Sequence, residues 1–234
     1  MGSIMSKNAY LKAMDIDVWV ERNAHGADIQ NNIVEKLDVN SPEVTAIPEV
    51  TKRTPEKIDI KSLDWQELHT QVSKCQLCDL SQKRTQTVFG EGNQTASLMI
   101  IGDDSNAHSA KLLSSMLKAM GYQRNDVYIT NIIKCNISEN KEASEEQAES
   151  CEPYLLRQIS LVQPKIILAL GNTAAQRILK SKSTMNRLRG QLHYVDGINA
   201  PILVTYHPTY LIAAPNEKRK AWEDLKLAIK ELAE

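Results

Sequence analysis

The sequence is poor in several features that would each indicate a particular class of protein. Four cysteines in 234 residues are too few for a scaffold held together by disulfides. No apolar run is long enough to suggest a membrane span or a signal peptide. Phenylalanine occurs once, at Phe89, and the formal net charge of -1 excludes a general basic field for nucleic acid. With 42% hydrophobic and 24% charged residues, the composition predicts a globular protein of the reducing cytoplasm.

The cysteines lie in one stretch and with an informative spacing. Cys75 and Cys78 form a C-x-x-C pair, Cys135 follows far downstream, and Cys151 lies sixteen positions after it. Two thiolates three residues apart can bind one metal centre from a single tight turn. Zinc ribbons, redox pairs and iron–sulfur proteins share this pattern. A zinc site and unligated buried thiols are therefore alternatives to an iron–sulfur cluster.

The segments around and after the cysteines add further motifs. They are CQLCDL at 75–80, VFGEG at 88–92, LMIIG at 98–102, VYITNIIKC at 127–135, CEPYLLRQ at 151–158, PKIILALG at 164–171 and YHPTYL at 206–211. In this order and spacing, residues 63–227 resemble the iron–sulfur uracil-DNA glycosylases. The resemblance implies one [4Fe–4S] cluster as cofactor, held by Cys75, Cys78, Cys135 and Cys151.

Apolar runs and helical periodicities alternate along the second part of the chain. Buried strands are predicted at 98–101, 127–133, 166–170 and 201–205. Helices are predicted at 63–75, 109–120, 144–162, 173–180 and 217–232. The alternation predicts an α/β fold, a three-layer α/β/α sandwich with a central, mostly parallel four-stranded sheet. Residues 62–234 would form this single uracil-DNA glycosylase-like iron–sulfur domain.

The first part of the chain has a different composition. Residues 24–61 are polar and contain three prolines, which predicts a flexible linker. Residues 1–23 contain a short amphipathic peptide with Leu11, Met14, Ile16, Trp19 and Arg22. A peptide that carries tryptophan on a tether is typical of a docking motif. The alternative is a structural arm that folds back on its own domain.

The resemblance to glycosylases is incomplete where catalysis would take place. Ligands of such sheets bind beyond the carboxyl ends of the strands, where a glycosylase must hold a flipped uracil and stabilise the charge that develops. After Gly102 the chain reaches its next helix within about eight residues. The Pro-Gly, Glu-Asp and stacking phenylalanine of the family are absent. We therefore predict that no base pocket remains and that no residue is catalytic.

Three residues keep positions that match the family motifs and are interpreted as vestigial. Asp103 would imitate an acidic residue, Asn131 would read the uracil edge, and His207 would stabilise the leaving base. The loop after Cys135 lacks the basic residues of the family, and Ala213 stands where an arginine is usual. Fewer phosphate contacts are expected as a consequence.

Residues 11–22 also resemble the clamp-loader-binding peptide of the psi subunit of bacterial DNA polymerase III, a subunit with a glycosylase-like body and no active site. The resemblance implies a non-catalytic, psi-like subunit that binds the clamp loader through its amino-terminal peptide. Its other partner would be the chi subunit and, through chi, single-stranded-DNA-binding protein. Two alternatives remain, a uracil-DNA glycosylase in base excision repair and a redox-responsive DNA-binding protein.

Overall fold

The structure is a computed structural model that describes residues 59–102, 107–136 and 143–234. The strands are β1 (Gln86–Thr87), β2 (Glu91–Gly92), β3 (Leu98–Gly102), β4 (Tyr128–Asn131), β5 (Cys135–Asn136), β6 (Ile166–Leu170), β7 (Leu192–Val195) and β8 (Ile198–Thr205). The α-helices are α1 (Trp65–Lys74), α2 (Leu80–Lys83), α3 (Ala107–Ala119), α4 (Glu145–Val162), α5 (Gly171–Ile178), α6 (Met185–Leu188), α7 (Pro208–Ala213) and α8 (Lys218–Ala233). Short 3-10 helices span Arg124–Asp126 and Pro215–Glu217.

The main sheet has six strands in the order β2-β4-β3-β6-β8-β7. The four inner strands are parallel, while β2 and β7 pair antiparallel at the two edges. The predicted three-layer sandwich on a mostly parallel sheet is confirmed. The edge strands were not predicted, because β2 has only two residues and β7 carries no fully buried side chain. Strands β1 and β5 form a separate antiparallel pair in which Thr87 lies opposite Cys135.

Local sequence signals explain where α1, which Cys75 follows, and α4, which contains Cys151, begin. Asp64 caps α1 by accepting hydrogen bonds from the backbone of Gln66 and Glu67, and Glu67 completes the capping box. Ser144 and Gln147 form the same reciprocal pair at the start of α4. Within the described ranges, no helix combines the length and the apolar composition needed to cross a bilayer.

The alternation of side chains along the inner strands divides the core into two layers. Met99, Ile101, Ile167 and Ala169 face the layer that includes α4 and α5. Leu98, Ile100, Ile166 and Leu168 face the layer that includes α3 and α8. These strands are buried on both faces, which explains their continuous apolar sequence. A sheet covered on both faces leaves the ends of its strands as the place for a ligand.

Candidate active site and cysteine centre

A cavity of about 390 Å³ lies at the carboxyl edge of the main sheet. Gly102, Asn131 and Leu170, which end β3, β4 and β6, line the cavity together with His207 and Pro208. This volume falls in the range of small-molecule pockets. The prediction that the shortened loop after β3 leaves no pocket is therefore wrong. The reason is that most of the lining comes from strand ends and from the segment 86–91, which a short loop does not remove.

Asn131 and His207 converge in this cavity next to Gly102. A Cβ placed on Gly102 would lie 3.8 Å from Oδ1 of Asn131 and 4.0 Å from Nε2 of His207. The two polar atoms thus approach one point from the ends of two different strands. The backbone N–H of Ile132 donates to the Gly102 carbonyl at 2.9 Å. This hydrogen bond continues the pairing of β3 with β4 one residue beyond Asn131. The structure therefore brings together two of the three residues interpreted as vestigial, and Asp103 lies outside the described residues.

The imidazole of His207 is oriented by local contacts. His207 caps α7, and its Nδ1 accepts a hydrogen bond from the backbone N–H of Thr209 at 3.2 Å. A ring nitrogen that accepts carries no proton, so in the neutral ring the proton lies on Nε2, the nitrogen nearest Gly102. Gly171 adopts φ +86°, and a Cβ there would lie 3.0 Å from Cβ of His207. Glycine is thus required at 171 for both its conformation and the close approach.

Other cavity-lining residues were missed from the sequence. Phe89 lines the cavity and makes an edge contact with Trp65 at a centroid distance of 5.4 Å. Arg124 and Glu91 line it as well, and Nε of Arg124 donates to Oε1 of Glu91 at 3.2 Å. The motif VFGEG at 88–92 was the available signal. Its contribution to a wall could not be deduced because the segment reaches the cavity from an edge strand.

The four cysteines are all reduced, with Cys135 and Cys151 buried and Cys75 and Cys78 partly buried. Burial raises the pKa of the Cys135 thiol, against the lowering effect of Arg84, and Cys78 and Cys75 raise it further. Burial raises the pKa of the Cys151 thiol to about 11, and Cys135 and Cys78 also raise it. Mutual influence of this kind requires the four thiols to lie near one another.

Four thiols are a donor set that either a zinc ion or an iron–sulfur cluster accepts. Zinc bound at about 2.3 Å would bring its sulfurs within about 4 Å of one another. Among the described residues, no three His, Cys, Asp or Glu side chains are grouped closely enough for one metal ion. A cluster distributes four thiolates over several iron atoms and holds them farther apart. Arg84 contributes a cation here, since its Nη1 lies 3.6 Å from Sγ of Cys135.

Comparison with known proteins identifies the family. A family model described as the uracil DNA glycosylase superfamily matches residues 89–226. The chain belongs to this superfamily. A type-4 uracil-DNA glycosylase of Archaeoglobus fulgidus is 30% identical over 184 residues, which cover 71% of this chain and 92% of that protein.

Other relatives named type-4 uracil-DNA glycosylase agree with this result. The protein of Sulfurisphaera tokodaii is 33% identical over 186 residues, 72% of this chain and 84% of its own length. That of Thermotoga maritima is 32% identical over 172 residues, 67% of this chain and 88% of its own length. These matches cover 84–92% of the three relatives and 67–72% of this chain.

The prediction of a non-catalytic, psi-like clamp-loader subunit is wrong, and so are its partners, the clamp loader, the chi subunit and single-stranded-DNA-binding protein. It relied on a resemblance over about twelve residues and on the interpretation of the body as an inactive glycosylase. The matches to glycosylases extend over at least 172 residues in the relatives described above. A peptide of a dozen residues carries few constraints, and similar apolar spacings arise without common function. The residues chosen for partner binding, Leu11, Met14, Ile16, Trp19 and Arg22, lie outside the described ranges.

Proposed function

We propose that the protein excises uracil from DNA. The observation that carries this proposal is the convergence of the Asn131 amide and His207 Nε2 beside Gly102 in a cavity of about 390 Å³. Enzymes that act on a base in DNA extrude the nucleotide and read its hydrogen-bonding edge inside a pocket. A carboxamide carries both a donor and an acceptor and can pair with the edge of uracil, which also carries both.

His207 would stabilise the charge that develops on the base. Cleavage of the glycosidic bond leaves negative charge on the uracil ring, and a preorganised N–H donor lowers the energy of that state. With Nδ1 engaged by the Thr209 backbone, Nε2 presents its proton toward the neighbourhood of Gly102. Asp103 directly follows β3 in the sequence and is proposed as the carboxylate that supports the sugar cation or its attacking water.

The proposal predicts excision that depends on both polar residues. Wild-type protein should release uracil from an oligonucleotide that contains one deoxyuridine, and Asn131→Ala and His207→Ala should each lower kcat about 10²- to 10³-fold, as for loss of one transition-state donor. His193→Ala is the matched control, because His193 lies in β7 and its ring contacts the Leu188 carbonyl at the end of α6, away from the cavity. Wild-type protein that leaves the uracil in place, or variants that retain full excision, would refute the proposal.

We also propose that Cys75, Cys78, Cys135 and Cys151 hold a [4Fe–4S] cluster. When bound, the cluster would supply a structural tie rather than a group that reacts with DNA. Its ligands come from the turn after α1, from β5 and from α4, so it would join three segments that are distant in the sequence. Burial raises the pKa of the Cys135 and Cys151 thiols, and a bound cation would favour their thiolate forms.

The cluster predicts a brown protein with about four iron atoms and four sulfides per chain. Cys151→Ser should lose iron and colour and should unfold at lower denaturant concentration, as measured by iron analysis and urea titration. Ser150→Ala, one residue away on the same helix, should retain both. A colourless wild-type preparation with stoichiometric zinc would contradict the cluster and favour the zinc alternative.

A further inference from the structure

A buried polar network lies behind the cavity and is not part of its lining except at Thr130. Lys134 is 2% exposed and Gln158 is 0% exposed. The ammonium of Lys134 donates to three oxygens, Oγ1 of Thr130 at 2.7 Å, the Asn131 carbonyl at 2.7 Å and Oε1 of Gln158 at 2.6 Å. These three oxygens are uncharged. The ammonium has three N–H donors, and each of them is bonded to one of these oxygens.

One end of the network holds the backbone of Asn131. This residue ends β4, and its last partner in the sheet is Gly102. Beyond that pair, the peptide unit between Asn131 and Ile132 is held on one side by the sheet, because the Ile132 N–H donates to the Gly102 carbonyl at 2.9 Å. The Lys134 ammonium holds the other side of the same peptide unit, by donating to the Asn131 carbonyl at 2.7 Å, and the direction of the Asn131 side chain follows from the orientation of its backbone.

The other end holds the opposite wall of the cavity. The carbonyl of Phe89 accepts from Oγ1 of Thr130 at 2.8 Å and from Nε2 of Gln158 at 2.7 Å. The carbonyl of Lys134 accepts from the backbone N–H of Val88 at 2.8 Å. Val88, Phe89 and Asn131 all line the cavity. Thr130 and Gln158 contact the Phe89 wall, Lys134 contacts Asn131, and hydrogen bonds from Lys134 to Thr130 and Gln158 connect the two sides.

We infer that Lys134 is a positioning residue for base recognition, acting with Thr130 and Gln158 to fix the distance and orientation between Asn131 and the Phe89 wall. This inference deepens the proposed uracil excision and rests on it. Burial of a cation among neutral oxygens costs solvation free energy, and an apolar side chain would fill the same space without that cost. The three hydrogen bonds of Lys134 to Thr130, Asn131 and Gln158 can hold these residues in fixed positions. An apolar residue at position 134 could not form them.

The test compares Lys134→Met, which keeps the length of the side chain and removes all three donors, with two other variants. Thr130→Val removes one hydroxyl with little change of shape and serves as a second variant that folds. Ile166→Ala creates a cavity at the amino end of β6, the opposite edge of the sheet, and controls for lost stability. Excision kinetics on a uracil-containing oligonucleotide, inhibition by free uracil, iron content and thermal unfolding are measured for each.

For Lys134→Met we expect kcat to fall about 10- to 100-fold, as displacement of a recognition group by a fraction of an ångström does. The KM for the oligonucleotide should stay within about twofold, because contacts to the DNA backbone are unchanged, and inhibition by uracil should weaken in parallel with kcat. Thr130→Val should show the same pattern at smaller size. Ile166→Ala should keep wild-type kinetics below its unfolding temperature.

Wild-type kcat in Lys134→Met would overturn the inference, and so would equal losses in Lys134→Met and Ile166→Ala. If wild-type protein itself fails to excise uracil, the proposed function fails separately. Crystal structures of wild type and Lys134→Met then decide the positioning claim. A shift of Asn131 relative to His207 and Phe89 supports it, and an unchanged arrangement overturns it.

Discussion

Two buried charges lie near the carboxyl edge of the main sheet, and they are stabilised in different ways. Asp224 on α8 is 1% exposed and forms an ion pair with Arg189, whose Nη2 and Nε donate at 2.8 and 3.1 Å. Oγ1 of Thr205 donates to the same carboxylate at 2.9 Å. Lys134 is buried to a similar extent but contacts only neutral oxygens through its ammonium. One charge has a counterion of its own and the other has none among these contacts.

The difference separates an interaction that stabilises the fold from one that shapes a site. Burial lowers the pKa of Lys134 to about 7, and the Cys151 sulfur raises it. Burial also raises the pKa of the Asp224 carboxyl, although Thr205 and Arg189 lower it. Desolvation thus opposes both charges, and only Asp224 is compensated by an ion pair. The Asp224 contacts join α8, β8 and the segment after α6, whereas the Lys134 contacts end at the walls of the cavity.

The largest expected effect is on stability. Asp224→Ala leaves Arg189, which is 16% exposed, without its anion, and should reduce the free energy of unfolding by about 3–5 kcal/mol. Lys134→Met should reduce it by only about 1–2 kcal/mol, because the lost hydrogen bonds are offset by removal of a desolvated cation. Urea titration of both variants measures the ranking. Equal losses, or a larger loss for Lys134→Met, would show that both charges serve the fold in the same way.

A smaller effect, on the pH dependence of stability, shows whether desolvation or the ion pair with Arg189 has the larger influence on the pKa of Asp224. Its folded-state pKa is raised above the unfolded value of about 3.9, so the native state binds this proton more tightly. The contribution of the group is therefore present at low pH and is lost as the pH rises through the folded-state pKa. From about pH 3 to about pH 7, wild-type protein should lose stability relative to Asp224→Asn.

Urea titrations of the two proteins across this range measure the difference. Asp196→Asn, in the exposed turn between β7 and β8, is the control and should leave the pH profile of stability unchanged. A wild-type protein that instead gains stability over Asp224→Asn with rising pH would show that Arg189 outweighs desolvation. The contrast with Lys134, which has no such ion pair among the contacts above, would then be larger.

The parts of the fold that were predicted correctly are those with strong local signals. The apolar runs at Leu98–Gly102 and Ile166–Leu170 gave inner strands because residues buried on both faces must all be apolar. The helices predicted at 63–75 and 144–162 start within two positions of α1 and α4, and Asp64 and Ser144 cap these two starts. Strand β2 escaped prediction because two residues carry no periodicity.

The candidate site was interpreted less well than the fold. Asn131 and His207 were singled out from sequence motifs, but the absence of a family loop was taken to mean the absence of a pocket. The cavity depends on the segment 86–91 and on Arg124, which reach it from a strand edge and from a 3-10 helix. No spacing in the chain indicates that these segments meet beside β4, because their contacts are long-range.

The sequence by itself determined the layered α/β architecture, the four cysteines as a candidate ligand set and the two polar residues at the ends of β4 and β8. These follow from hydrophobic periodicity and from residue chemistry, both of which act locally along the chain. Only the tertiary structure decided that Asn131 and His207 face one cavity, that Phe89 lines it, and that Lys134 holds its walls. Such relations depend on which segments the pairing of the sheet brings together, and burial then fixes their contacts, because polar groups removed from water must find partners within the fold.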